Sequence, residues 1–146
     1  MEEKAGLCAG EDPWHTKAVK RLGVRAIMLS DGPQGWRKQQ NKTDHLGVNK
    51  SIPAVCFPAG CATDCSFDEE LLYEMGKLLG EECQAEGVGV LLGPGATLKR
   101  SPLCGRNFEY LSEDPYLSGH LAGAFIRGVQ SKNVGTSLKP YFANNQ

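Results

Sequence analysis

The side chains best suited to binding or chemistry lie in residues 105–115, which hold one arginine, two aromatic residues and three carboxylates in eleven positions. Charged groups such as Arg106 and Glu109 form stronger and more directed hydrogen bonds than neutral groups do. A loop of this composition between two regular elements is a usual place for binding or catalytic groups. A structural alternative has comparable weight on residue types alone: Arg106 and Glu109 pair with each other and hold the loop.

Two more charged residues stand where short apolar runs end. Asp31 follows one such run and begins a Gly-Pro turn, and Lys139 closes another run near the end of the sequence. Functional groups gather at the carboxyl ends of parallel strands. We therefore expect Asp31, Arg106 and Lys139 to form one polar constellation that no single loop would indicate.

The elements that must position these residues alternate along the chain. Apolar runs of strand length alternate with segments of helical period, each strand being followed by a long loop. This order predicts parallel strands joined by crossover helices, and hence an α/β fold. The predicted helices cover residues 17–23, 66–86 and 115–131, and the predicted strands cover residues 26–30, 88–92 and 134–138.

Helix starts and buried faces can also be predicted. Ser66 with Glu69 forms a capping box, and Asp114 with Pro115 gives an N-cap followed by a favourable first helical residue. Apolar residues then recur at helical spacing on one face of each helix. The two faces consist of Leu71, Met75, Leu78, Leu79 and Cys83, and of Leu117, Leu121, Phe125 and Val129.

Composition excludes several classes of function. The chain has 146 residues, enough for one domain with a core, and a formal net charge of −1. This charge gives no reason to expect a nucleic acid or an acidic membrane surface as a partner. No apolar run approaches the ~20 residues of a membrane span. The amino terminus lacks the basic and apolar regions of a signal peptide, so a cytoplasmic location is expected.

Six cysteines are present, none of them in a Cys-x-x-Cys motif. The histidines, His15, His45 and His120, are too scattered to complete a metal site with them. We expect reduced and mostly buried thiols, no metal and no cofactor.

Together these motifs resemble the N-terminal domain of glycoside hydrolase family three, the β-glucosidase and β-xylosidase group. The resemblance covers essentially the whole chain and is most specific in residues 105–115. It implies a (β/α)8 TIM-type barrel with about the first three strand–helix units present, residues 1–146 forming a partial domain that stops before the nucleophile strand. The matching stretches are residues 29–33 with Gly35 and Arg37, and residues 80–83, 91–95, 99–110, 112–115, 135–139 and 143–146.

The resemblance also implies a role for each member of the constellation. In the family, the aspartate of the Ser-Asp-Gly-Pro turn accepts hydrogen bonds from sugar hydroxyls in the −1 subsite, a role that carries over to Asp31. The corresponding arginine and lysine also contact the sugar, which carries over to Arg106 and Lys139. Contacts of this kind that tighten on an oxocarbenium-like ring lower the barrier to hydrolysis.

The sequence departs from the family pattern in two ways. The family follows its lysine with histidine and phenylalanine, whereas Pro140 and Tyr141 stand here. Proline has no ring nitrogens and no backbone N–H, so one sugar contact is expected to be missing. The family's nucleophile and acid/base lie on later segments without counterpart in these 146 residues. We therefore assign no catalytic residue, and expect no glycoside turnover by the chain alone.

The leading hypothesis is that the chain supplies part of the −1 subsite of a retaining β-glycosidase. The alternatives are a non-catalytic sugar-binding fragment and an inactive remnant. The expected ligand is a β-glucoside or another small glycoside. Strands left without neighbours at the edges of a partial barrel would also predict self-association or a complementing chain.

Overall fold

The computed structural model describes residues 2–40, 48–141 and 144. Its first elements are helix α1 (Glu2–Leu7) and an antiparallel hairpin of strands β1 (Gly10–Asp12) and β2 (His15–Thr16). A single 3-10 turn, Lys20–Leu22, follows in place of the helix predicted for residues 17–23. Gly23 ends this turn with a φ of 69°, as the predicted glycine cap requires.

The remaining elements build the predicted α/β core. These elements are β3 (Leu29–Asp31), α2 (Gly60–Asp64), α3 (Glu69–Ala85), β4 (Val90–Leu92), the 3-10 turn Asn107–Glu109, α4 (Pro115–Gln130) and β5 (Gly135–Thr136). Strand β4 lies in the centre of a three-stranded parallel sheet ordered β3-β4-β5, with Leu29 opposite Val90 and Asp31 opposite Leu92. The alternation of strands and helices is therefore confirmed.

The strands are shorter than predicted, and the reason is clearest at β3. The run that precedes Leu29 is bound instead to the β1–β2 hairpin. Thr16 N donates to Ile27 O at 3.0 Å, and Leu29 N donates to Trp14 O at 2.7 Å. This pairing could not be predicted because the hairpin is polar and lacks the apolar alternation that marks a strand.

Helix α3 begins three residues later than predicted, and its cap is Asp68. The Asp68 carboxylate accepts hydrogen bonds from the backbone N–H groups of Glu70 and Leu71 at 2.9 and 3.1 Å. The predicted capping box at Ser66 is wrong because its hydroxyl donates instead to Thr63 O at 2.6 Å. Ser66 therefore belongs to the end of the preceding helix α2.

The buried face of α3 is rotated from the predicted one. Leu71 and Leu78 are exposed, so their assignment to the core is wrong, whereas Met75, Leu79 and Cys83 are buried as predicted. Glycines complete the buried face and carry almost no hydropathy signal. The buried residues are Leu72, Met75, Gly76, Leu79, Gly80 and Cys83.

Helix α4 begins where the sequence predicts. The Asp114 carboxylate accepts from the N–H groups of Tyr116 and Leu117 at 3.1 and 3.2 Å, and Pro115 is the first helical residue. Of the predicted apolar face, Leu117 is partly buried; Leu121, Phe125 and Val129 are buried.

Helices α3 and α4 pack with their backbones almost in contact. A Cβ added at Gly76 would collide with the carbonyl oxygen of Phe125, and one added at Gly128 would collide with that of Tyr73. The pair covers one face of the sheet, where Leu91 is fully buried. Side chains alternate along a strand, so Asp31 and its partner Leu92 lie on the other, half-buried face. The site described next lies at the carboxyl end of that face.

Among the described residues, no helix combines the length and the apolar character needed to cross a membrane.

Candidate functional site

The structure brings together two of the three predicted site residues in direct contact. Asp31 ends β3 and Lys139 follows β5, and Lys139 Nζ donates to Asp31 Oδ1 at 2.5 Å. The side chains of Asp31 and Lys139 are 43% and 22% exposed, so a ligand can reach the pair. A carboxylate and an ammonium group therefore stand side by side at the carboxyl end of the sheet.

Lys139 is held in place by backbone pairing that continues the parallel register beyond β4 and β5. Its N–H donates to Pro94 O at 3.0 Å, and its carbonyl accepts from Ala96 N at 2.8 Å. The main chain at Lys139 is thus fixed on both sides. This pairing explains how a residue outside the regular strand reaches Asp31.

The turn that follows Asp31 is built around glycine. Gly32 has a φ of 110°, and a Cβ at this position would collide with Gly35 O. Gly32 N donates to Asp31 Oδ1 at 2.8 Å, while Arg37 N donates to Asp31 O at 2.9 Å. Among the described residues, no hydrogen bond occupies Asp31 Oδ2, which leaves that oxygen available to accept from a ligand.

Arg106 is oriented by its neighbours. Its Nε donates to Glu109 Oε1, and its guanidinium carbon lies 5.6 Å from the centre of the Tyr110 ring. The hydrogen bond to Glu109 raises the pKa of Arg106 above its ordinary value, and the charge of Asp31 adds to the shift. The pairing of Arg106 with Glu109 is therefore confirmed. Among the described residues, no hydrogen bond or ion pair joins Arg106 to Asp31 or Lys139, so the third predicted site residue is not in direct contact with the other two.

The ion pair with Glu109 leaves hydrogen-bond donors of Arg106 available to a ligand. Glu109 is 11% exposed, whereas Arg106 is 46% exposed. In the described part of the chain, the two terminal nitrogens of the guanidinium form no hydrogen bond. Glu109 therefore anchors Arg106 at Nε and leaves its outer N–H groups to a ligand, so the structural and binding interpretations are compatible.

A cleft of about 230 Å³ opens beside Lys139 and Pro140. Arg100 and Thr97 line it, and Asn144 Nδ2 donates to Thr97 Oγ1 at 3.4 Å. No sequence pattern singles out Arg100, although the adjacent basic residues Lys99 and Arg100 lie in the same loop as Arg106. This cleft extends the polar surface on the side of Lys139.

The cysteines and histidines form no metal site in the part of the chain that the structure describes. The expectation of mostly buried thiols is wrong, since Cys83 is buried while Cys8, Cys56 and Cys65 are exposed. Burial raises the pKa of the Cys83 thiol to about 11. Within residues 2–40, 48–141 and 144, no cluster of three or more His, Cys, Asp or Glu could hold a metal ion. His45 lies outside the described residues.

Comparison with known proteins gives a family match over nearly the whole chain. The model of the "Glycosyl hydrolase family 3 N terminal domain" matches residues 17–145. The matched range contains Asp31, Arg106 and Lys139.

Individual relatives match over the full length of the chain. Thermostable beta-glucosidase B of Acetivibrio thermocellus is 60% identical over 146 residues, which cover 100% of this chain and 19% of the relative. Exo-alpha-(1->6)-L-arabinopyranosidase of Bifidobacterium longum is 48% identical over 147 residues, with the same coverage of 100% and 19%. The chain therefore spans about a fifth of the length of these relatives.

Solved structures agree with the sequence matches. Beta-glucosidase 3B from Thermotoga neapolitana, solved in complex with glucose, superposes with a TM-score of 0.80 at 44% identity. The match covers 90% of this chain and 18% of that protein. The three parallel strands and the helices between them thus correspond to part of a larger known fold.

Proposed function

The chain belongs to the N-terminal domain family of glycosyl hydrolase family 3, and from that membership we propose that it supplies part of the −1 sugar subsite of a retaining β-glycosidase. Its fold is part of a (β/α)8 barrel, of which three parallel strands and the helices between them are described. The observation that carries the proposal is the 2.5 Å contact between Asp31 and Lys139 at the carboxyl ends of parallel strands.

The three side chains divide the recognition of a sugar among them. Asp31 is fixed through Oδ1 by Lys139 and Gly32, so Oδ2 accepts hydrogen bonds from sugar hydroxyls. Arg106 is fixed through Nε by Glu109, so its terminal N–H groups donate to sugar oxygens. Lys139 donates through the N–H groups that Asp31 does not use. Neighbouring hydroxyls of a pyranose suit such alternating charged acceptors and donors.

This arrangement favours the transition state because its groups are fixed before the sugar binds. The pyranose ring flattens and gains positive charge during glycoside cleavage, and the anionic Asp31 then interacts more strongly with it. Retaining hydrolysis also needs a nucleophile and an acid/base. We assign neither role within this chain, because Glu109 holds Arg106 and Asp114 caps α4.

The substrate that we favour is a terminal β-D-glucoside. The supporting relatives are the beta-glucosidase at 60% identity and the beta-glucosidase solved with glucose. The arabinopyranosidase at 48% identity is the alternative, since a pyranose ring would meet the same three side chains, although L-arabinopyranose lacks the hydroxymethyl group of glucose and has the opposite configuration at C4. The test is hydrolysis of nitrophenyl β-D-glucopyranoside and nitrophenyl α-L-arabinopyranoside by the full-length protein.

We expect the glucoside to have the higher kcat/KM and the first sugar released to keep the β configuration by NMR. Inversion, or no hydrolysis of either glycoside, would contradict the proposed function. Glucose binding without hydrolysis would support the second candidate, a non-catalytic sugar-binding module. Pro140 favours that candidate, since it cannot supply the contact made by the family's histidine.

We also propose that the outer edge of β5 pairs with a further strand, supplied by the remainder of a barrel or by another chain. In the described residues β5 has a strand on one side only, and unpaired strand edges are templates for pairing. The outer edge of β3 is already used in part, because Leu29 N donates to Trp14 O and Arg37 N donates to Asp31 O.

Replacing Glu109 with alanine should weaken glucose binding about tenfold, because Arg106 loses the group that fixes its direction while keeping its charge. Isothermal titration calorimetry with glucose measures this change. Glu113→Ala is the matched control, since Glu113 is an exposed carboxylate in the same loop. Equal affinities of the Glu109 variant and wild type would show that Arg106 needs no anchor.

A further inference from the structure

The loop after Asp31 folds back along β3 and fixes the backbone of the site. Arg37 N donates to Asp31 O at 2.9 Å, and Ser30 Oγ donates to Arg37 O at 2.6 Å. The main chain at Arg37 is therefore hydrogen-bonded to the last two residues of the strand. A shift of residue 36 or 37 would be transmitted directly to Asp31.

Trp36 connects this loop to helix α3. The tryptophan is 4% exposed and lies in the hydrophobic core, and its Nε1 donates to Glu82 Oε2 at 2.8 Å. A buried indole whose N–H is also bound has one orientation available. The side chain next to Arg37 is thus anchored to a helix that packs behind the sheet.

Lys38 makes a second connection to the same end of α3. Its Nζ donates to Glu86 O at 2.6 Å and lies 3.3 Å from Glu86 Oε2. Residues on both sides of Arg37 are therefore tied to the last turns of α3. We call the Trp36–Glu82 and Lys38–Glu86 contacts the loop clamp.

The turn between Asp31 and Trp36 contains Gly32 and Gly35, both at positive φ, and glycine is the most flexible residue type. The Asp31 side chain is 43% exposed and is held at Oδ1 by Lys139 and Gly32. The position of the main chain that carries this side chain depends on the hydrogen bond from Arg37 N to Asp31 O.

On the basis of the sugar subsite assigned above, we propose that Trp36 and Glu82 are positioning residues for Asp31. Neither contacts the sugar. Their hydrogen bond holds Arg37 against Asp31 and keeps Asp31 Oδ2 aimed at the sugar hydroxyls. Nothing in the resemblance described above gives Trp36 or Glu82 a role, and the two residues act on sugar recognition from behind the sheet.

The variants must separate positioning from stability. Glu82→Ala removes the acceptor while leaving the indole in the core. Glu82→Gln keeps an oxygen that can accept from Trp36 Nε1. The matched control is Glu81→Ala, because Glu81 lies beside Glu82 on α3 and pairs with Lys132 at 2.7 Å, away from the loop clamp.

The experiment measures kcat/KM for an aryl β-glucoside, glucose affinity and thermal unfolding in the full-length protein. At an assay temperature well below the melting temperature of the variant, we expect Glu82→Ala to lower kcat/KM and glucose affinity about tenfold. Glu82→Gln and Glu81→Ala should stay within about twofold of wild type. Added to Asp31→Ala, Glu82→Ala should cause no further loss, because no carboxylate remains to be positioned.

Three results would overturn the inference. The first is wild-type kcat/KM and glucose affinity in Glu82→Ala, whether or not its melting temperature falls. The second is an equal loss of kcat/KM in Glu81→Ala and Glu82→Ala, which would indicate a general effect on the helix. The third is additivity of the Glu82→Ala and Asp31→Ala effects on kcat/KM. A wild-type protein that neither binds nor hydrolyses glycosides would instead remove the proposed function, and this inference with it.

Discussion

Replacing Asp31 with alanine is expected to lower kcat/KM for an aryl β-glucoside by ~10²–10⁴-fold, since each hydrogen bond to a charged group contributes ~1.5–3 kcal/mol. The variant loses the acceptor for sugar hydroxyls, and it also leaves the half-buried Lys139 ammonium without its carboxylate partner. Steady-state kinetics of the full-length variant measures the loss. The effect should fall on kcat as well as on KM if the contact strengthens in the transition state.

Two further variants make the Asp31 result specific. Asp31→Asn keeps an oxygen acceptor but not the charge, so its kcat/KM should lie between those of wild type and alanine. Glu74→Ala removes an exposed carboxylate paired with Lys77 on α3, and it should leave kcat/KM unchanged. An alanine variant at position 31 that retains more than half of the wild-type kcat/KM would remove Asp31 from the subsite.

The grouping of the site residues could be predicted because it follows from topology. Strand and helix patterns predict parallel strands, and the carboxyl ends of parallel strands share one edge of the sheet. The contact between Asp31 and Lys139, which are 108 positions apart, is a consequence of that geometry. The sugar-binding role of the three residues stays a prediction until it is measured.

Features that depend on competition between neighbouring groups could not be predicted. Ser66 and Asp68 both suit an N-cap, and only the fold shows that Thr63 takes the Ser66 hydroxyl. The rotation of α3 that exposes Leu71 depends on contacts of its glycines with α4. Glycine contributes almost nothing to a hydropathy pattern, so these contacts cannot be predicted from it. In both cases the local pattern allowed two solutions, and tertiary contacts selected one.

Hydrogen bonds between side chains that are far apart in the sequence could not be predicted either. Nothing in the local pattern around Trp36 indicates an acceptor at Glu82, because the two residues are 46 positions apart. The Arg106–Glu109 pair could be anticipated, since its members lie three positions apart in one loop. A side-chain contact in this site can therefore be predicted from sequence when its two residues are close in the chain, and not when they are far apart.

The second large effect is expected at Lys139. Lys139→Ala should lower kcat/KM by ~10²–10³-fold, because it removes a sugar contact and the cation 2.5 Å from Asp31 Oδ1, at ~1.5–3 kcal/mol for each charged hydrogen bond. The main chain at this position is held by Pro94 and Ala96, so the alanine variant should keep its fold. Kinetics and a melting curve of the full-length variant test both statements.

We expect Pro140 to increase the contribution of Lys139 to sugar recognition. Pro140→His should raise kcat/KM, because an imidazole can satisfy a sugar hydroxyl that otherwise lacks a partner, at ~1–3 kcal/mol. Pro140→Ala is the control, since it removes the proline ring without adding a donor and should bring no gain. The effect of Lys139→Ala should then become smaller in the Pro140→His background, where two groups share the contact. If the histidine variant gains nothing and Lys139→Ala is silent, this strand end does not line the sugar subsite.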